Sequence, residues 1–168
     1  MKRLLSILTL CALTLALTAC GGGNGASSGG ASSGAAGGDI SFDAVYQGIL
    51  DAQENADELV FFPEEGADAI ESLYPGLTAL NPARVRLYLP PVTGYACEIL
   101  LVEVAEGDVD AAKAILQDRI DSGANDTGYP ENAVLWQNNA QIQTQGNCLC
   151  MIALPDGCTI PENVFSLS

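Results

Sequence analysis

"CEILLVEV", Cys97–Val104, decides the fold. Read as a strand, it places Ile99 and Leu101 on one side and Leu100, Val102 and Val104 on the other. An apolar run on both parities suits a central strand. "CLCMIAL", Cys148–Leu154, repeats the pattern. Gly146-Asn147 just before it is a two-residue hairpin signal, and Ala140, Ile142 and Thr144 alternate with glutamines on the far side. Upstream, Val85, Leu87 and Leu89 alternate with Arg84, Arg86 and Tyr88, the pattern of a half-exposed strand.

Between the two apolar runs the period changes. Gly107-Asp108 opens a helix through about Ser122, with Val109, Ala112, Leu116 and Ile120 as its stripe. Gly123–Gly128 reads as a loop, and Pro130 starts a short helix ending near Trp136. Before the strands, Ser41 caps a helix that repeats Phe42, Val45, Tyr46, Ile49 and Leu50 on one face, and the polar stretch Gln53–Glu58 extends or frays it. A second helix covers about Ala67–Tyr74 and stops at Pro75-Gly76. The tail to Ser168 reads as a loose edge. The expected fold is α+β: two helices, then strand–strand–helix–strand–strand, with a small, mainly antiparallel sheet. Residues 39–168 form this single domain.

The first 38 residues are of another kind. Lys2 and Arg3 precede an uncharged apolar run, Leu4–Thr18, too short for a comfortable membrane span. It ends in Leu17-Thr18-Ala19-Cys20, which resembles the lipobox of bacterial lipoproteins. The resemblance implies a signal peptide over residues 1–19, cleaved between Ala19 and Cys20, and a diacylglycerol thioether on Cys20. One acyl chain holds a membrane marginally and two hold it firmly. Gly21–Gly38 contains only Gly, Ala, Ser and one Asn, so residues 20–38 are a lipidated cysteine plus a flexible linker about 23 Å in mean span. Two G-x-S-x-G matches lie inside this tract, without the strand and helix that a nucleophile elbow requires.

Several stretches together are similar to a family of uncharacterised bacterial lipoproteins defined only by a domain of unknown function. They are the lipobox, "LYPGL" (Leu73–Leu77), "YLPPVTGYACEILLVEV" (Tyr88–Val104), the acidic helix after Gly107, and "QIQTQGNCLCMIALPDG" (Gln141–Gly157). The resemblance covers roughly residues 42–160. It implies extracytoplasmic, lipid-anchored placement and brings no catalytic residues.

Charge narrows the partners. The chain carries a net charge of −15 with no histidine, and its 21 acidic residues all follow Cys20. Only Arg84, Arg86, Lys113 and Arg119 oppose them there. Such a domain repels phosphate backbones, which excludes nucleic acid. The remaining partners are the membrane, through the lipid, and another envelope protein or a wall component.

Four cysteines, Cys97, Cys148, Cys150 and Cys158, belong to the domain. Cys148 and Cys150 share a strand face with parallel Cβ vectors, which disfavours a bond between them. Export permits disulfides, and the pairings left join Cys97 to one of these two and Cys158 to the other. Buried thiols acting as small apolar residues are an equal reading. A tetrathiolate zinc site is poorer, because Cys-x-Cys does not match tetrahedral ligand spacing; no metal is expected. Thiol catalysis lacks the C-x-x-C or histidine that lowers a thiol pKa. Glu98 and Glu103 point to opposite strand faces, poor geometry for an acid–base pair, and strand-end exposure explains them. Asp108 and Asp110 lack the remaining positions of a calcium loop and fit helix capping. Trp136, Tyr129 and the Pro90–Tyr95 loop form either an aromatic surface or part of the core. The composite expectation is a lipid-anchored binding or scaffold module with no cofactor besides its lipid. The alternative is an envelope enzyme using a cysteine thiol or a carboxylate.

Overall fold

The computed structural model describes residues 40–64, 66–91 and 96–167. The expected signal segment (residues 1–19), Cys20 and the expected linker to residue 38 lie outside the described residues. The elements are α1 (Phe42–Asp51), β1 (Phe62–Glu64), α2 (Ala67–Leu73), β2 (Arg84–Leu89), β3 (Glu98–Glu103), α3 (Val109–Ala124), α4 (Pro130–Asn139), β4 (Ala140–Gln145) and β5 (Cys148–Ala153). The strands form one antiparallel sheet in the order β1-β2-β3-β5-β4. The fold is α+β as expected, with one strand more: Pro63 confines β1 to an edge, where a missing N–H costs no ladder bond.

The central pair is β3 and β5, and their double-sided hydrophobicity has a physical cause. Ile99, Leu101, Cys150 and Ile152 pack beneath α1 and the C-terminal tail. Leu100, Val102, Leu149 and Met151 pack beneath residues of α2, α3 and α4. Each side chain faces an apolar layer, so neither parity tolerates polar residues except at the strand ends. The β4–β5 turn has Gly146 at φ +60, and Asn147 is not left-handed. Glycine first with positive φ is the type II′ arrangement, whose twist matches a hairpin.

Local signals place the helices. The Ser41 hydroxyl accepts from Ala44 N–H at 3.3 Å and starts α1. Asp108 stands at the α3 cap position without a side-chain cap bond, so its contribution there is charge near a helix N-terminus.

Five local expectations change. Gly123 does not break α3, which continues to Ala124; a Cβ at this position would collide with the Trp136 ring, so the glycine admits a close helix contact. Likewise, α4 extends past Trp136 to Asn139, whose carbonyl accepts from Leu154 N–H. The tail is no loose edge. Val164 and Phe165 are buried in a 3-10 turn, and Gln143 ties the tail by donating to Pro161 O and accepting from Val164 N–H. Strand β2 stays half-exposed at Arg86, as expected, but its end is covered on both faces, because Tyr88 is buried and stacks on Tyr46 at 3.8 Å between centroids. Finally, Gln53 does not belong to a frayed helix end. It is buried and pairs reciprocally with the Thr159 backbone.

Candidate functional site

The most polar feature inside the domain sits between β3 and α3. Tyr74, at the end of α2, is fully buried and donates its hydroxyl to Glu98 Oε1. Arg119 on α3 grips the same carboxylate with two donors: Nε to Oε1 at 3.2 Å and Nη2 to Oε2 at 2.6 Å. Its guanidinium also lies over the Trp136 ring, 4.6 Å from the centroid. Glu98 itself is only 2% exposed. Strand-end exposure therefore does not explain this residue. A carboxylate at the first position of β3 falls under α2 and α3, and a fork of donors offsets its desolvation.

The electrostatics follow the contacts. Burial pushes the Tyr74 hydroxyl well above the usual tyrosine range, and the Glu98 charge adds to the effect. Burial works against the Arg119 charge, yet the Glu98 hydrogen bonds and charge outweigh it and raise the guanidinium further. At neutral pH the Tyr74 phenol therefore stays neutral and the Arg119 guanidinium stays charged. Around them every fully buried side-chain nitrogen and oxygen among the described residues has a hydrogen-bond partner.

Two clefts open on either side of Arg119. One, of about 410 Å³, is lined by Ser122, Asn125, Asp126, Thr127 and Asn132, with Arg119 and Trp136 behind them. The other, of about 280 Å³, is lined by Ser72, Leu73, Pro75, Ile115 and Asp118, again with Arg119. The α3–α4 loop thus supplies a polar lip, and the α2 end supplies a more apolar one. Trp136 is 4% exposed and closes the core, whereas Tyr129 stands out at 59%. The two do not join into an aromatic surface, and residues 92–95 of the Pro90–Tyr95 loop lie outside the described residues.

Glu103 is separate from this network. It faces the α1 side and accepts from Arg84 Nε at 2.6 Å, while the Arg84 guanidinium lies 4.5 Å from the Phe42 centroid. The opposed orientation of Glu98 and Glu103 on β3 is as the spacing predicts.

The cysteines all face the α1 layer, and all four carry thiols. They divide into two groups. Cys148 and Cys150 lie opposite Glu103 and Leu101, whereas Cys97 extends the register to stand opposite Leu154. Cys97 is therefore four positions from Cys150, about 13 Å along the sheet. Disulfides need Cα atoms within about 7 Å. The expected pairings of Cys97 with Cys148 or Cys150 do not fit this register. Burial pushes the Cys97 thiol up to about 12, with the nearby Cys158 and Glu98 acting in the same direction. Burial alone raises the Cys150 thiol well above its ordinary value. Among the described residues no cluster of three or more His, Cys, Asp or Glu could hold a metal ion.

Residues 65–154 match the family described as Domain of unknown function (DUF4358). The chain belongs to the DUF4358 family. No curated protein and no solved structure matches it. The DUF4358 segment contains α2 through β5, and with them Tyr74, Glu98, Arg119, Trp136 and both Arg119 clefts. Helix α1, strand β1 and the tail after Leu154 fall outside the match. The buried ion pair is thus a feature of the DUF4358 segment, while the layer covering the cysteine face comes from its flanks. Sequence reasoning missed Tyr74 and Arg119 as partners. Their one signal was a lone carboxylate at the mouth of an apolar strand, which must find a cation or lose its charge.

Proposed function

We propose that this protein is a lipid-anchored extracytoplasmic module that binds a partner at the cell envelope through the clefts flanking Arg119. The observation that carries the location is Leu17-Thr18-Ala19-Cys20 at the end of an uncharged apolar run, followed by an 18-residue linker without bulk or charge. Diacylglycerol on Cys20 would hold the domain at the membrane, and the linker would carry it beyond the headgroups.

Binding is favoured over catalysis by the chemistry of the site. The Glu98 carboxylate is committed to Tyr74 and to both Arg119 donors. The Cys97 and Cys150 thiols are held protonated by burial, so thiolate is scarce at neutral pH. What faces solvent is a concave polar lip of Ser122, Asn125, Asp126, Thr127 and Asn132 on a rigid base. A preorganised base of that kind lowers the ordering cost of association. The partner is another envelope protein or a wall component, and the linker raises its effective concentration by confining the domain near the membrane.

Photo-crosslinking in intact cells tests this reading. A photoreactive residue at Asn125 should capture a discrete partner, and one at the exposed Gln47 on α1 should not. Equal capture from both positions, or none from Asn125, would overturn the proposed face. For the anchor, Cys20→Ala should move the protein out of the membrane fraction.

A further inference from the structure

Cys158 sits where a turn returns the chain to the end of β3. Pro155–Cys158 is a β-turn closed by Cys158 N–H donating to Pro155 O at 3.2 Å, with Gly157 at φ +84. That positive φ at the third position is the type II signature, and it brings the turn ends within about 7 Å. Leu154, just before the turn, stands opposite Cys97 in the extended β3–β5 register. Cys158 also packs against the apolar cluster that contains Cys97. Two cysteines 61 positions apart are therefore brought to one corner of the α1 face.

We propose that Cys97 and Cys158 form an intramolecular disulfide that clamps the C-terminal tail onto the sheet. The two differ in access: Cys97 is buried and Cys158 is half-buried. The oxidant is an external disulfide, RSSR. The Cys158 thiolate attacks one sulfur, forms a mixed disulfide and releases RS⁻. Cys97 then gives up its proton and attacks the Cys158 sulfur, expelling the second RS⁻. Two protein thiols and RSSR become one protein disulfide and two RSH. The high proton affinity of buried Cys97 sets this order, because the more exposed thiol reacts first.

The clamp has a clear target. After Cys158 the chain runs through Thr159, held by Gln53, and Pro161 and Val164, held by Gln143, to buried Phe165. These residues cover the sheet face opposite α2–α4 and lie outside the DUF4358 match. The cross-link would fasten that cover at its root. It forms in vitro wherever the pair is close; its persistence in the cell rests on the envelope location proposed above, since the cytosol keeps thiols reduced.

The test uses the purified full chain treated with oxidised glutathione, then alkylated and digested without reductant. Trypsin cuts after Arg86, and a second protease that cuts before aspartate, at Asp108 and Asp156 among others, separates Cys97 and Cys158 from Cys148 and Cys150. The expected product is Leu87–Gly107, which carries Cys97, joined to the peptide starting at Asp156, lighter than the sum by two hydrogen atoms. The link should persist in Cys148→Ser and vanish in Cys158→Ser, a half-buried position where serine is tolerated. Oxidation should raise the melting temperature of the wild type and leave that of Cys158→Ser unchanged. Four alkylated thiols after oxidation, or Cys97 joined to Cys148 or Cys150, would overturn the proposal. The anchor is read separately from the N-terminal mass, so the two ideas fail independently.

Discussion

Arg119 Nη2 lies 2.6 Å from Glu98 Oε2, with the Glu98 side chain only 3% exposed and that of Arg119 20%. A buried pair of this kind is a poor source of net stability but a costly one to break, because the survivor keeps its charge without a partner. Arg119→Ala should therefore destabilise the domain by about 3–5 kcal/mol. Because Glu98 also accepts from the buried Tyr74 hydroxyl, the triple variant Tyr74→Phe with Glu98→Leu and Arg119→Met, which leaves no orphaned polar group, should recover most of the loss. Urea unfolding of the single and triple variants checks both expectations. If the triple variant is as unstable as Arg119→Ala, the unpaired charge is not the cause.

Gly123 gives an opposite sign to what helix propensity predicts. Alanine is the better helix former by about 1 kcal/mol. Here its Cβ would strike the Trp136 ring. Gly123→Ala should lower stability by about 1–3 kcal/mol, the usual cost of overpacking. Thermal melting followed by Trp136 fluorescence measures it.

The tail is structural. Phe165 is 2% exposed and Val164 fully buried. Phe165→Ala should cost about 3–5 kcal/mol, the range for a buried aromatic. Gln143→Ala should cost less, since it removes two hydrogen bonds and leaves the apolar contacts. Denaturant midpoints for the two variants should keep that order.

Stability should fall on the alkaline side. Cys97 is raised from 9.0 to about 12 in the fold, and Tyr74 is raised well above 10.0. Between the unfolded and folded values the native state binds more protons than the unfolded chain. The slope of stability against pH is then negative. The contribution of Cys97 is fully present below about pH 9 and is lost as pH rises toward 12. Denaturant unfolding at stepped pH above 8 should show the decline, and Cys97→Ala should flatten part of it.

The sequence made the sheet legible because β3 and β5 are apolar on both parities, a pattern that few other structures satisfy. It made the β4–β5 hairpin legible through Gly146-Asn147, while the turn type needed the backbone angles. It concealed whatever depends on a distant partner. Gly123 looks like a loop residue until Trp136 is placed against it. Val164 and Phe165 look like a tail until Gln143 fastens them. The Tyr74–Glu98–Arg119 network draws on three elements, and no local period links residues 74, 98 and 119. The cysteines were visible as a set, while their division into two groups is fixed by register alone.

The central claim is the anchor, and mass spectrometry of the mature protein taken from its native membrane tests it most directly. The account predicts an N-terminus at Cys20 carrying the mass of a diacylglycerol. An unmodified chain, or one beginning at any other residue, would contradict it.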